Sequence, residues 1–226
     1  MKIDTWKLSF GLVYGIAIAF GGAVGPAFGH AGHLHGARVE SAIGKSFEVR
    51  TSEKGDVEVP LKRGSELPPG SRVHVGPKAG LTLRLGDDVV VVLRAESRVR
   101  LELRGGKDWA VALEEGALLS TVKNPRARPE HFSVRTKSAV MGVRGTTFYA
   151  RDRAGSPTYF CTCHGRIDVR GIDEKPIGIV EAKHHDSPTE IVDGKLVKVA
   201  MDADHTDADV AAIEKILASP TGSAKR

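Results

Sequence analysis

Leu81-Thr82-Leu83-Arg84-Leu85-Gly86-Asp87-Asp88-Val89-Val90-Val91-Val92-Leu93 decides the fold class. Successive side chains of a strand point to opposite sides, so in the first five residues the three leucines share one face and Thr82 and Arg84 share the other. Gly86-Asp87 carries turn chemistry. The run from Val89 to Leu93 is apolar on both faces, as a central strand covered from two sides requires. The same period of two recurs at Val73-His74-Val75, Val99-Arg100-Leu101-Glu102-Leu103, Phe132-Ser133-Val134-Arg135 and Ile167-Asp168-Val169-Arg170. Between these runs stand Pro68-Pro69-Gly70, Gly76-Pro77, Gly105-Gly106, Asn124-Pro125 and the turn from Asp152 to Gly155. Turn signals at a spacing of roughly 8–15 residues predict a mainly β chain, a solenoid-like roll or a sandwich of short strands.

One C-terminal α-helix is expected at about residues 206–218. Thr206 can cap it, with Asp209 in the capping-box position and Asp207 near the positive helix N-terminus. Val210, Ile213, Ile216 and Leu217 form an apolar stripe at helical spacing, and Ser219-Pro220 ends it. Residues 219–226 read as a basic, disordered tail.

Composition narrows the possibilities further. Of 226 residues, 41% are apolar and 27% charged, which excludes collagen-like, coiled-coil and wholly disordered chains. Aromatics are scarce at 5% while Gly (26) and Pro (11) are plentiful, favouring short segments over an all-helical bundle. Thirty-three basic against 28 acidic residues leave a formal charge of +5, and the strand arginines Arg84, Arg94, Arg98, Arg100 and Arg104 are interleaved with acids. They read as solvated edges, so no nucleic-acid partner is expected. No G-x-S-x-G, H-E-x-x-H or phosphate-binding glycine loop occurs, and Asp87-Asp88 and Glu114-Glu115 read as turn residues, so no catalytic site is expected.

The N-terminal stretch from Leu8 to Gly29 has no charged residue and follows Lys2 and Lys7. Residues 1–31 therefore read as a signal peptide, with cleavage near Gly29 or Ala31, or as an uncleaved anchor. A linker at 32–38 follows, and His30, His33 and His35 read as its solvated imidazoles. Either way the remainder is expected in the periplasm or otherwise exported, with membrane contact only through the N-terminal segment.

Beyond alternation, the segments form an ordered set: Gly70-Ser71-Arg72-Val73, the Leu81–Leu85 run with Gly86-Asp87, Ala95-Glu96-Ser97-Arg98-Val99-Arg100-Leu101, Leu113-Glu114-Glu115-Gly116-Ala117-Leu118, Phe132-Ser133-Val134-Arg135-Thr136, Ala139-Val140-Met141-Gly142-Val143-Arg144-Gly145-Thr146-Thr147-Phe148 and His164-Gly165-Arg166-Ile167-Asp168-Val169. Over about residues 40–170 this order resembles the FecR domain family, with Val143–Phe148 its sharpest element. The resemblance implies a periplasmic, strand-rich sensory or binding module at 39–172, followed by an extension at 173–218. Only seven residues precede the apolar stretch, so the cytoplasmic anti-sigma region of the family's iron-uptake regulators is not expected. Gly145 is expected in a tight backbone feature between Val143 and Phe148.

Both cysteines lie in Thr158-Tyr159-Phe160-Cys161-Thr162-Cys163-His164. On a strand Cys161 and Cys163 share a face, with α-carbons roughly 6.6 Å apart at about 3.3 Å per residue, while His164 points away. Thiolates and imidazoles suit a transition metal such as zinc, whose structural sites take four ligands. Cys161, Cys163, one of His184 and His185, and His205 would complete the set, His205 being held by a docked helix. A strained disulfide, inert thiols and thiol redox chemistry stay open as alternatives. His74 and His131 read as solvated. The leading function is thus an exported binding or sensing module whose partner is an envelope protein, a glycan or a metal ligand. The alternative is a structural or adhesion protein using its β surface, with Cys161–Cys163 as a disulfide.

Overall fold

The computed structural model describes residues 36–106, 108–123 and 132–219. Residues 1–31, read from sequence as a signal peptide or anchor, His33, His35, Asn124-Pro125, His131 and the tail beyond 219 lie outside the described residues. Within them the chain forms β1 (Ala37–Ile43), β2 (Ser46–Ser52), β3 (Gly55–Pro60), β4 (Glu66–Leu67) and β5 (Arg72–Val75). Next come β6 (Gly80–Leu85), β7 (Val89–Leu93), β8 (Arg98–Arg104), β9 (Asp108–Val122) and β10 (Phe132–Arg135). The last strands are β11 (Ala139–Asp152), β12 (Thr158–Gly171), β13 (Pro176–Ala182), β14 (Ser187–Val192) and β15 (Lys195–Lys198), and α1 (Asp207–Ala218) ends the fold. The mainly β expectation with one C-terminal helix holds.

Not all the strands are short. β9, β11 and β12 run for 14 or 15 residues, and each changes neighbours midway. The first half of β9 pairs with β8 and β10, its second half with β7 and β11. β12 pairs with β14 through Thr158–Thr162 and with β13 from Gly165 onward. The three strands thereby join two layers. One contains β15, β14, the first half of β12, the second halves of β11 and β9, then β7, β6, β1 and β4. The other contains β13, the remaining halves of β12, β11 and β9, and β10, β8, β5, β2 and β3. Leu81, Leu83, Val91, Val111, Val134, Met141, Phe148, Phe160 and Ile167, drawn from both, share one core cluster between them.

Bulged strands bend, and glycine is the residue that tolerates the required backbone. Register slips between Arg144 and Phe148 on β11 opposite His164 and Arg166 on β12. Gly145 has φ 57° and Gly165 has φ 98°. A Cβ on Gly165 would stand 2.6 Å from the Gly145 carbonyl oxygen, so the bend closes backbone on backbone. Thr146 locks it, its hydroxyl accepting the Arg166 N–H at 3.0 Å and lying 2.8 Å from the Arg166 carbonyl oxygen. The expected feature at Gly145 is therefore a corner within one bent strand.

The outer face of the first layer is covered as well. Val90, Ala117, Leu119, Tyr149, Tyr159, Cys161 and Cys163 point outward and are buried beneath Ile213 and Leu217 of α1. This is why Val89–Leu93 is apolar on both faces. Thr206 caps the helix in a capping box with Asp209. Two charged-residue expectations are corrected. Arg84 is buried, not solvated: its Nε donates to Glu40 at 2.7 Å and its Nη2 to the Ile216 carbonyl at 2.6 Å, closing the helix C-terminus. Glu114 and Glu115 lie inside β9, where they pair with Arg100 and Arg98 across the ladder to β8. No helix among the described residues is long and apolar enough to cross a membrane.

Candidate metal centre

Three chain segments meet at the outward face of β12. Cys161 and Cys163 are buried there as free thiols. The turn after β13 contributes His185, and the segment entering α1 contributes His205, which is 3% exposed and directly precedes the Thr206 cap. One ligand atom from each of Cys161, Cys163, His185 and His205 lies within 4.8 Å of all the others. His184, the other member of its pair, is exposed and outside this group. Adjacent residues in a turn project in different directions, so only one of the two reaches the sulfurs. His164 does not point to the opposite face as expected: the register shift beside Thr147 sets it opposite that residue, exposed and with its Nδ1 3.5 Å from Glu214 of α1, and it stays outside the four-residue group.

Each imidazole is held. His185 sets Nδ1 2.7 Å from the Asp207 carboxylate in the first turn of α1, and its Nε2 2.7 Å from His205 Nε2. The Asp207 carboxylate can only accept, so His185 Nδ1 donates to it and Nε2 faces the cluster, as in a metal-ligating histidine backed by a carboxylate. His205 stacks on Tyr149 with ring centroids 4.3 Å apart and planes 6° from parallel. Its Nδ1 is buried without a hydrogen-bond partner. Two nitrogens bound tetrahedrally at about 2.0–2.1 Å stand about 3.3 Å apart, so sharing an ion asks the rings to part by about 0.6 Å.

The thiols are electrostatically unequal. The hydrogen bond from Cys163 holds Cys161 down at about 5, and the His205 and His185 imidazoles act in the same direction against burial. That hydrogen bond and burial push Cys163 upward. The pair thereby loses its first proton more readily than a free thiol does, and its second less readily. Burial raises Tyr149 and Tyr159, keeping both as phenols in the wall of the site.

Sequence reasoning missed two neighbours. The Met201 thioether lies 3.8 Å from Cys161 Sγ and the same distance from the Tyr159 hydroxyl. Asp207 reads from sequence as a helix-terminus charge and also orients His185. The available signal was spacing: Met201 and Asp207 flank His205 within one short connection. Chemically, two thiols and two imidazoles match the tetrahedral donor set of zinc and related borderline or soft ions.

Comparison with known proteins bears on the scaffold. No curated protein matches the chain. Two crystal structures of a candidate anti-sigma factor from Parabacteroides distasonis superpose with TM-scores of 0.47 and 0.46 at 20% and 21% identity. Each superposition covers 58% of this chain and 60% of the other. The family model described as FecR protein matches residues 71–168, a span holding β5 to β11, the Gly145–Gly165 corner and both cysteines, so over this stretch the chain matches a FecR domain.

Proposed function

We propose that the protein is an exported FecR-domain sensing or binding module of the bacterial cell envelope in which Cys161, Cys163, His185 and His205 hold one transition-metal ion such as zinc. One observation carries the proposal: four soft or borderline donors from three chain segments converge within 4.8 Å. Four such ligands complete a tetrahedral shell of the structural kind, which suits binding rather than catalysis. The FecR domain supports a sensing role. Export rests on the uncharged stretch from Leu8 to Gly29 behind Lys2 and Lys7. A metal here ties the segment entering α1 to the domain, so its arrival is felt at the surface the helix presents to an envelope partner.

The test is elemental analysis of protein purified without an affinity tag, combined with thiol titration before and after chelation. The expected result is about one metal equivalent per chain and two thiols that react only after the metal is withdrawn. A chain without metal that takes up no added zinc, and shows no free thiol, would replace the metal centre with a disulfide.

A further inference from the structure

Met201 is positioned, not incidental. The Asp202 N–H donates to the Tyr159 hydroxyl at 3.1 Å, and the Val199 N–H to the Pro188 carbonyl at 3.3 Å. These two bonds fix the connection on both sides of the methionine. The thioether is thereby laid 3.8 Å from Cys161 Sγ and 3.8 Å from the Tyr159 hydroxyl. Two sulfurs bound at about 2.3 Å with a tetrahedral angle between them stand about 3.8 Å apart, so Cys161 and Met201 already have the separation of two ligands on one ion. Met201 is also 42% exposed, so its side chain reaches solvent as well as the buried cluster.

Zinc draws its protein ligands from Cys, His, Asp and Glu, whereas thioether together with thiolate selects Cu(I). The geometry points to Met201 as a third sulfur ligand and to copper(I) as the preferred ion of this centre. The inference rests on the metal-centre reading above and names its occupant. The sulfur set is Cys161, Cys163 and Met201, completed from the His185–His205 pair. Binding is ligand exchange without electron transfer: Cu(I) arrives reduced from its carrier, and each thiol that binds it releases its proton to solvent.

The experiment is anaerobic competition of the full chain with the Cu(I) chelator bicinchoninate, alongside competition for Zn(II) with a chromophoric zinc chelator, for wild type and Met201→Leu. Leucine keeps the shape and removes only the sulfur, and an unchanged melting temperature of the metal-free variant confirms its fold. Wild type is expected to withdraw one Cu(I) per chain from bicinchoninate. Met201→Leu should lose about tenfold or more in Cu(I) affinity, the scale on which shell changes act, with Zn(II) affinity within about twofold of wild type. Equal effects on the two metals, or none on either, would remove Met201 from the ligand set. A chain that binds Zn(II) yet leaves Cu(I) with the chelator overturns the copper inference alone, and one that binds neither overturns the metal centre itself.

Discussion

Cys161 and Cys163 occupy alternate positions of β12, and their chemistry follows from what faces them. With Cys161 held at about 5 against an ordinary value of 9.0, folding releases a proton from this thiol at neutral pH. A folded-state pKa below the unfolded one gives stability that is present above the unfolded value and lost as pH falls through the folded value. Metal-free protein should therefore gain resistance to urea as pH rises from about 5 to about 8, and Cys161→Ser should flatten that slope. Thiolate absorbance near 240 nm supplies the second reading: one thiolate per chain, with its midpoint near 5. Two thiolates rising together at the ordinary value would contradict the inequality. At the corner, Gly145 holds φ 57°, where a β-branched side chain is strained. Gly145→Val should cost about 2 kcal/mol or more in urea denaturation, because the left-handed region penalises a side chain by about 1–2 kcal/mol before any clash is counted.

Elements were legible to the degree that local patterns report them. The alternation of Leu81–Leu85 and the two-sided Val89–Leu93 run fixed β6 and β7, and the Thr206–Asp209 box fixed the start of α1. The continuity of β9, β11 and β12 through their corners was not legible, since a glycine that bends a strand and a glycine that ends one look alike in sequence. Arg84 was misread for a related reason: an arginine in an alternating strand is solvated unless something distant covers that face, and its cover lies 132 residues away at Ile216. Of the site, the cysteines, His205 and the pair His184/His185 were visible as ligand-type residues. The choice between the two histidines depends on how one turn projects its side chains, which spacing alone does not encode. Arg84 yields a test at this scale. Arg84→Met should leave the strands intact but loosen the last turn of α1, because the Ile216 carbonyl keeps only the Ser219 N–H and Glu40 loses its ion-pair partner. Hydrogen exchange of residues 213–218 should accelerate by about tenfold, the equivalent of roughly 1.4 kcal/mol, and unchanged protection would show that apolar contact alone holds the helix.

Across the whole molecule, the FecR corner, the outward face of β12 and α1 form one mechanical chain. Apolar packing of Ile213 and Leu217, the Arg94–Asp209 ion pair and the Arg84 contacts dock the helix without any metal. A metal bound at the proposed centre would therefore add stability to an arrangement that already exists, by mass action on the folded state alone. The connection between His185 and His205 spans β14 and β15, so an ion bound by both would tie that hairpin to the start of α1. His184 and His185 make this testable, being chemically identical neighbours of which one reaches the cluster. The most direct measurement is the thermal shift produced by excess Zn(II) in the full chain and in its His184→Ala and His185→Ala variants. Ligand at about a hundredfold above its dissociation constant contributes about 2.7 kcal/mol. Wild type and His184→Ala should gain several degrees together, while His185→Ala gains little. Equal shifts in all three proteins, or none in wild type, would contradict a metal centre built from Cys161, Cys163, His185 and His205.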